Sequence, residues 1–194
     1  AVSSAGWMST AQLAGFVLAS WVGGRFLRPV RSVFVIGTVI GVVANLGSAA
    51  APTFELLALM RFGSGISLGV AAWIAWQAAF GDTEKTGDVA VVGPLVGVVM
   101  SPLIAIILES VGLSWLFVLL AVITATPLIW MRQVPSTDRL RPHRTRHTPT
   151  KAARAILIAL SAITLGGSSV FVYAAAIGKD LDGLSPLTVS LLFS

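Results

Sequence analysis

The chain has 194 residues, 56% of them hydrophobic and 11% charged, with a mean hydropathy of +0.90. Charge is too scarce to cover a soluble domain of this size, so the composition excludes an ordinary soluble fold and makes the lipid bilayer the first partner. Cysteine is absent, which excludes disulfides and thiolate metal sites, and the net charge of +5 comes mostly from two hydrophilic loops. Membrane topology explains those loops without nucleic acid.

A spanning helix needs about 20 apolar residues. Six such segments are predicted, at 7–24, 32–51, 56–80, 89–108, 113–131 and 155–178, and a seventh begins near Ser185 and Pro186. The first carries Gly15, Ala19 and Gly23 at fourth positions, a face on which a neighbouring helix can approach closely. It runs into an arginine loop with Gly24, Arg25, Arg28 and Arg31, which either acts in a cytoplasmic gate or only sets topology and touches anionic headgroups.

The second segment holds Gly37, Gly41 and a lone Asn45. An amide inside a membrane helix either bonds a neighbouring helix or faces a cavity. The third begins after Glu55 and contains Arg61, Gly65 and Gly69, followed by Trp73, Trp76 and Gln77. A charge about two turns inside such a helix costs roughly 2.5 kcal/mol or more unless it meets protein or water, so Arg61 is expected to point into the bundle, the alternative being that it snorkels to the outer interface. Trp73 and Gln77, four apart on one face, are either cavity-lining or, in the case of the tryptophan, part of an interfacial belt.

The loop 81–88 mixes Asp82, Glu84, Lys85 and Asp88 and reads as a solvated turn, or as a source of acid for the arginine loop. The fourth segment places Gly93, Gly97, Ser101 and Ala105 at every fourth position, with Pro102 among them, a groove without bulk that suits helix packing in a membrane. The segment 132–154 holds seven basic residues against Asp138, together with Pro142, Pro149, His143 and His147. The prolines disfavour the continuous helix that would let the two histidines share a metal, so no metal or other cofactor is expected. The sixth segment contains Gly166, Gly167, Ser168 and Ser169 at its middle, and Tyr173 beyond them. By the positive-inside rule the loops 25–31, 81–88 and 132–154 are cytoplasmic, which describes a multi-pass protein of the cell (inner or plasma) membrane. No acid pair, serine elbow or Walker-type loop is visible, so an enzyme is not expected.

The ladder Gly93, Gly97, Ser101-Pro102, Ala105, followed by Leu113-Ser114-Trp115-Leu116-Phe117, resembles the fifth-helix signature of major facilitator superfamily transporters and the approach to their sixth helix. Arg61-x-x-x-Gly65-x-x-x-Gly69 is similar to the family's helix-four pattern. The arginine loop stands where the family has Gly-x-x-x-Asp-x-x-Gly-Arg-Arg, with Gly24, Arg28 and Arg31 matching and the aspartate missing. Serine and alanine also replace two glycines of the ladder.

The resemblance implies an all-α integral membrane protein of the major facilitator fold, two six-helix bundles that are incomplete in this chain. Residues 1–131 would be helices two to six of the N-terminal bundle with helix one absent, 132–154 the cytoplasmic central linker, and 155–194 helix seven and part of helix eight. It further implies a secondary transporter of drug/proton antiporter type, exporting small, rather lipophilic organic molecules by alternating access, with protons as the coupling ion. Arg61, Asn45, Trp73 and Gln77 are its coupling and cavity candidates, and Gly24, Arg28 and Arg31 its gate loop. An importer of sugars or other metabolites on the same fold, or a non-transporting six-helix scaffold, are the alternative readings.

Overall fold

The computed structural model describes residues 2–79 and 81–133. The expected sixth and seventh segments, His143, His147, Tyr173 and all of the linker beyond Gln133 lie outside the described residues. The described residues form five α-helices and a 3-10 helix, without strands: α1 Val2–Phe26, α2 Arg31–Ala49, α3 Phe54–Ala79, α4 Thr83–Ser110, α5 Leu113–Ala125 and the 3-10 helix Thr126–Gln133. By length and composition, α2 and α3 can cross a membrane.

The helix ends follow from local chemistry. Pro29 disfavours a helical Arg28, so α1 stops at Phe26, and α2 restarts after Val30, which is extended at φ −112° and ψ 158°. Pro52 has the same effect after α2, and Thr53 then accepts a hydrogen bond from the Leu56 amide at 3.3 Å to start α3. Gly81 and Gly112, at φ +89° and +88°, make the left-handed turns on either side of α4 that a side chain would strain.

Two expected boundaries are corrected. The loop expected over 81–88 is mostly helix, because the Asp82 side chain caps α4 by accepting from the amides of Glu84 and Lys85 at 3.1 and 3.2 Å. The expected fifth span ends as an α-helix at Ala125 and continues as a 3-10 helix. Pro127 is the cause: it has no amide to donate and its ring crowds the carbonyl of Ile123. The 13-residue α-helix is about 20 Å long and the eight-residue 3-10 helix adds about 16 Å, so the pair still has the length of a span.

Helix α3 lies at the centre, with α1 packed on one side and α2 on another, and α2 in turn packs against α5. The α1–α3 crossing is the closest. A methyl group added at Gly65 would run into the carbonyl oxygen of Gln12, at Gly69 into that of Phe16, and at Gly15 into that of Phe62. Ala19 is buried between them, and the Ser20 hydroxyl donates to the Gly69 carbonyl at 3.3 Å. Without a hydrophobic drive between helices in lipid, such backbone proximity is what holds them together.

Helix α4 packs only lightly, against α3 and α5, and Val91, Leu95, Val99, Leu103 and Ile106 are exposed. Gly93, Gly97, Ser101, Pro102 and Ala105 all belong to α4, and their side-chain surroundings lie outside the described residues.

Gly65→Ala is expected to lower stability by about 1–3 kcal/mol, the usual range for overpacking. Gly87→Ala, on α4 with open space around it, serves as the control and is expected to be neutral or slightly stabilising. Thermal unfolding of both in detergent checks this, and an unchanged melting temperature for Gly65→Ala would refute the tight crossing.

The cap of α4 is also testable by pH. The Lys85 side chain, 2.8 Å from Asp82, bonds the carboxyl and holds it below its ordinary range, helped by the Lys85 amide, while the Lys85 ammonium is raised by the same bond. The contribution of Asp82 is therefore present above its unfolded value and lost as pH falls through its depressed folded value. That of Lys85 is present below its unfolded value and lost as pH rises through its raised folded one. A carboxyl titration by NMR should give a low midpoint for Asp82 that moves upward in Lys85→Ala; an unmoved midpoint would remove Lys85 as the cause.

Candidate functional site

Among the polar side chains of the spanning helices, five meet in one buried cluster. Arg61, on the second turn of α3, is only 7% exposed and points into the bundle. Its Nη2 donates to Asn45 Oδ1 at 2.6 Å and to Ser48 Oγ at 2.9 Å, and its Nε donates to Ser48 Oγ at 3.2 Å. The guanidinium carbon lies 4.5 Å from the centre of the Phe117 ring, on α5. That is a cation–π contact in a desolvated setting, worth about 2 kcal/mol.

The second layer carries the network to α5. Asn45 Nδ2 donates to Thr124 Oγ1 at 3.1 Å, and that hydroxyl donates to its own helix at the Leu120 carbonyl, 2.7 Å away. The Ser48 hydroxyl likewise donates back to Ala44 at 2.8 Å, which leaves its lone pairs to Arg61. Ser64 Oγ adds a long contact of 3.5 Å to Asn45 Oδ1. Asn45 is suited to this place because an amide accepts from a cation on one end and donates onward on the other.

Two chemical consequences follow. An arginine has five donors and no acceptor and keeps its proton, so Arg61 acts as a fixed charge and not as a proton carrier. Among the described residues its partners are all neutral: an amide, a hydroxyl and a ring. A charge held that way in a medium of low dielectric keeps most of its field, which favours an anion brought close and disfavours a second cation.

Arg61 and Asn45 are thus brought together, whereas Trp73 and Gln77 lie about 18 and 24 Å further along α3. Trp73 is buried at 7% exposure, its ring against Gly23 of α1, so it is not part of an interfacial belt; its indole Nε1 is buried without a partner among the described residues. Gln77 is half-buried, one turn beyond. At the same end, Gly24 closes α1 beside Trp73, Arg28 is exposed in the loop, and Arg31 begins α2 and donates to the Arg132 carbonyl at 3.0 Å. Asp82 is engaged by its own helix and by Lys85.

Ser48, Ser64, Thr124 and Phe117 were not among the candidates. Ser48 and Ser64 sit three residues after Asn45 and Arg61, on the same helical faces, so the spacing could have found them. Thr124 and Phe117 come from another helix and carry no such mark.

These features define an all-helical chain, over its described residues, with a buried polar cluster between helices of membrane-spanning length. Compared with known proteins, the chain matches no family model, no curated protein and no solved structure. The likeness to major facilitator transporters therefore rests on the motifs alone.

Asn45→Ala removes the closest acceptor of the guanidinium and is expected to destabilise the protein by about 1.5–3 kcal/mol, as for hydrogen bonds to charged groups. Thr124→Val, which removes only a neutral partner, should lower stability by about 1 kcal/mol or less. Unfolding curves that rank the two in the reverse order would contradict the geometry.

Proposed function

We propose that this protein is a secondary active transporter of the major facilitator type, which moves small, rather lipophilic organic molecules out of the cell in exchange for protons. The observation that carries this reading is the fixed positive charge of Arg61, buried between α2, α3 and α5 among neutral partners. A charge inside a membrane bundle is expensive, and the usual reason for one is a substrate or ion pathway. Two helices long and apolar enough to cross a bilayer, and the motif that contains Arg61, support the same reading.

In this scheme Arg61 does not carry the proton. It holds an anionic partner, either an ionised acid of the protein or an acidic group of the substrate, and protonation of that partner weakens the pair. Rocking of two bundles about a midplane site then exchanges access between the two sides.

One observation favours a second reading. The hydrogen bonds from Arg61 to Asn45 and Ser48, with the Phe117 ring beneath, could also serve as a structural tie in a helical scaffold that transports nothing. Transport measured in proteoliposomes under an imposed proton gradient separates them. Arg61→Ala is expected to lose gradient-driven transport while still inserting, and Arg61→Lys, which keeps the charge but loses the planar fork, to retain part of it. Wild-type rates in Arg61→Ala would remove the residue from the mechanism.

A further inference from the structure

Helices α1 and α2 both pack on α3, yet among the described residues they make no helix-to-helix contact with each other. The gap between them is an open apolar groove of about 350 Å³. Its walls are Leu18, Val22 and Leu27 from α1 and the turn that follows it, and Val33, Ile36 and Ile40 from α2; Ile66 and Val70 of α3 form the floor. Leu18, Leu27, Ile36 and Ile40 are exposed, so the groove opens to the outside of the helix cluster. From Leu18 to Leu27 it runs about 13 Å, close to the depth of one leaflet of a hydrocarbon core about 30 Å thick.

The mouth of the groove is basic. Leu27 is followed directly by Arg28, which is exposed, and Arg31 opens α2. Arg31 also reaches the carbonyl of Arg132, which brings the end of the 3-10 helix and a third guanidinium to the same place, while Arg25 lies 5.7 Å over the Trp21 ring. An apolar slot one leaflet deep that ends among arginines is complementary to a molecule with a hydrocarbon chain and an anionic head.

We infer that the α1–α2 groove and the arginine loop form a binding site for one anionic phospholipid, with an acyl chain in the slot and the phosphate at Arg28 and Arg31. Arginine suits the head because its planar fork meets phosphate oxygens in pairs. The positive-inside rule puts such a loop on the cytoplasmic face, whose leaflet carries the anionic lipids. The site is separate from the Arg61 cluster, so it stands or falls independently of the transport reading.

Native mass spectrometry of the detergent-purified protein, titrated with phosphatidylglycerol and with phosphatidylcholine of the same chains, tests the assignment. One molecule of phosphatidylglycerol is expected to bind in preference to phosphatidylcholine, and each arginine removed in Arg28→Gln and Arg31→Gln to weaken it about fivefold. The double Arg→Lys variant should keep most of the preference. Val33→Trp, which fills the slot and leaves the charge, should weaken binding of the phosphatidylglycerol without touching the loop. Inorganic phosphate in excess should fail to displace the lipid; displacement would mean a simple anion site and overturn the role of the slot. Equal binding of the two lipids, or unchanged binding in the glutamine variants, would also overturn the proposal. If the tryptophan variant loses its helical circular dichroism, the loop variants, whose side chains lie outside the helix packing, still decide.

Discussion

The bond from the Arg61 guanidinium to the Asn45 amide is the interaction on which the described structure turns. It ties α3 to α2, and through Asn45 and Thr124 the same network reaches α5. Bringing a guanidinium into hydrocarbon costs several kcal/mol. Against that stand the hydrogen bonds to Asn45 and Ser48, each worth about 1.5–3 kcal/mol when one partner is charged, and the contact with Phe117. The opposing terms are of similar size, so the cluster stabilises the fold little compared with an apolar core. A leucine or methionine of similar volume would hold α2, α3 and α5 together at no desolvation cost. What an apolar residue could not supply is the charge itself.

The other side of α3 is held by different physics. At the α1 crossing Gly15, Gly65 and Gly69 allow backbone to meet backbone, and no charged side chain is involved. Contact of that kind depends on shape and tolerates no added volume, so it fixes α1 against α3 closely. Helix α4 lacks a comparable seam among the described residues and leaves Val91, Leu95 and Ile106 outward. One helix therefore serves two kinds of neighbour: α1 through close backbone packing, α2 and α5 through a polar network.

How much of this can be read from the sequence differs from residue to residue. The inward direction of Arg61 follows from its depth in an apolar run, and the small residues at positions 15, 19, 65 and 69 are visible as fourth-position spacing. The partners of Arg61 are less accessible to such reasoning. Asn45 is conspicuous as a lone amide, but nothing in its own segment says that it will meet Arg61 and not the lipid or another helix. Phe117 and Thr124 depend on how α5 is rotated against α2, which the period of an almost uniformly apolar helix does not encode. Trp73 was misread because tryptophan near the end of a span is common at interfaces, whereas here the absence of a side chain at Gly23 makes room for its ring. The helix break at Thr126 was open to prediction, since Pro127 stands in plain sight, and the cap by Asp82 equally so, since an Asp before a helical run is a strong start signal.

The neutrality of the partners around Arg61 bears on what the site can do. A carboxylate at position 45 would form a buried ion pair and consume the field of the guanidinium. An amide gives up hydrogen bonds but almost no net charge, so the positive potential extends to whatever approaches next. At an effective dielectric of about 20, a unit charge 4 Å away feels roughly 4 kcal/mol. That is enough to move a carboxyl group's protonation by about three pH units, and it vanishes when the carboxyl is neutral. A caged arginine of this kind can therefore make the affinity for an acid depend on protonation while never releasing a proton itself, and coupling between proton and cargo asks no more of one residue than that.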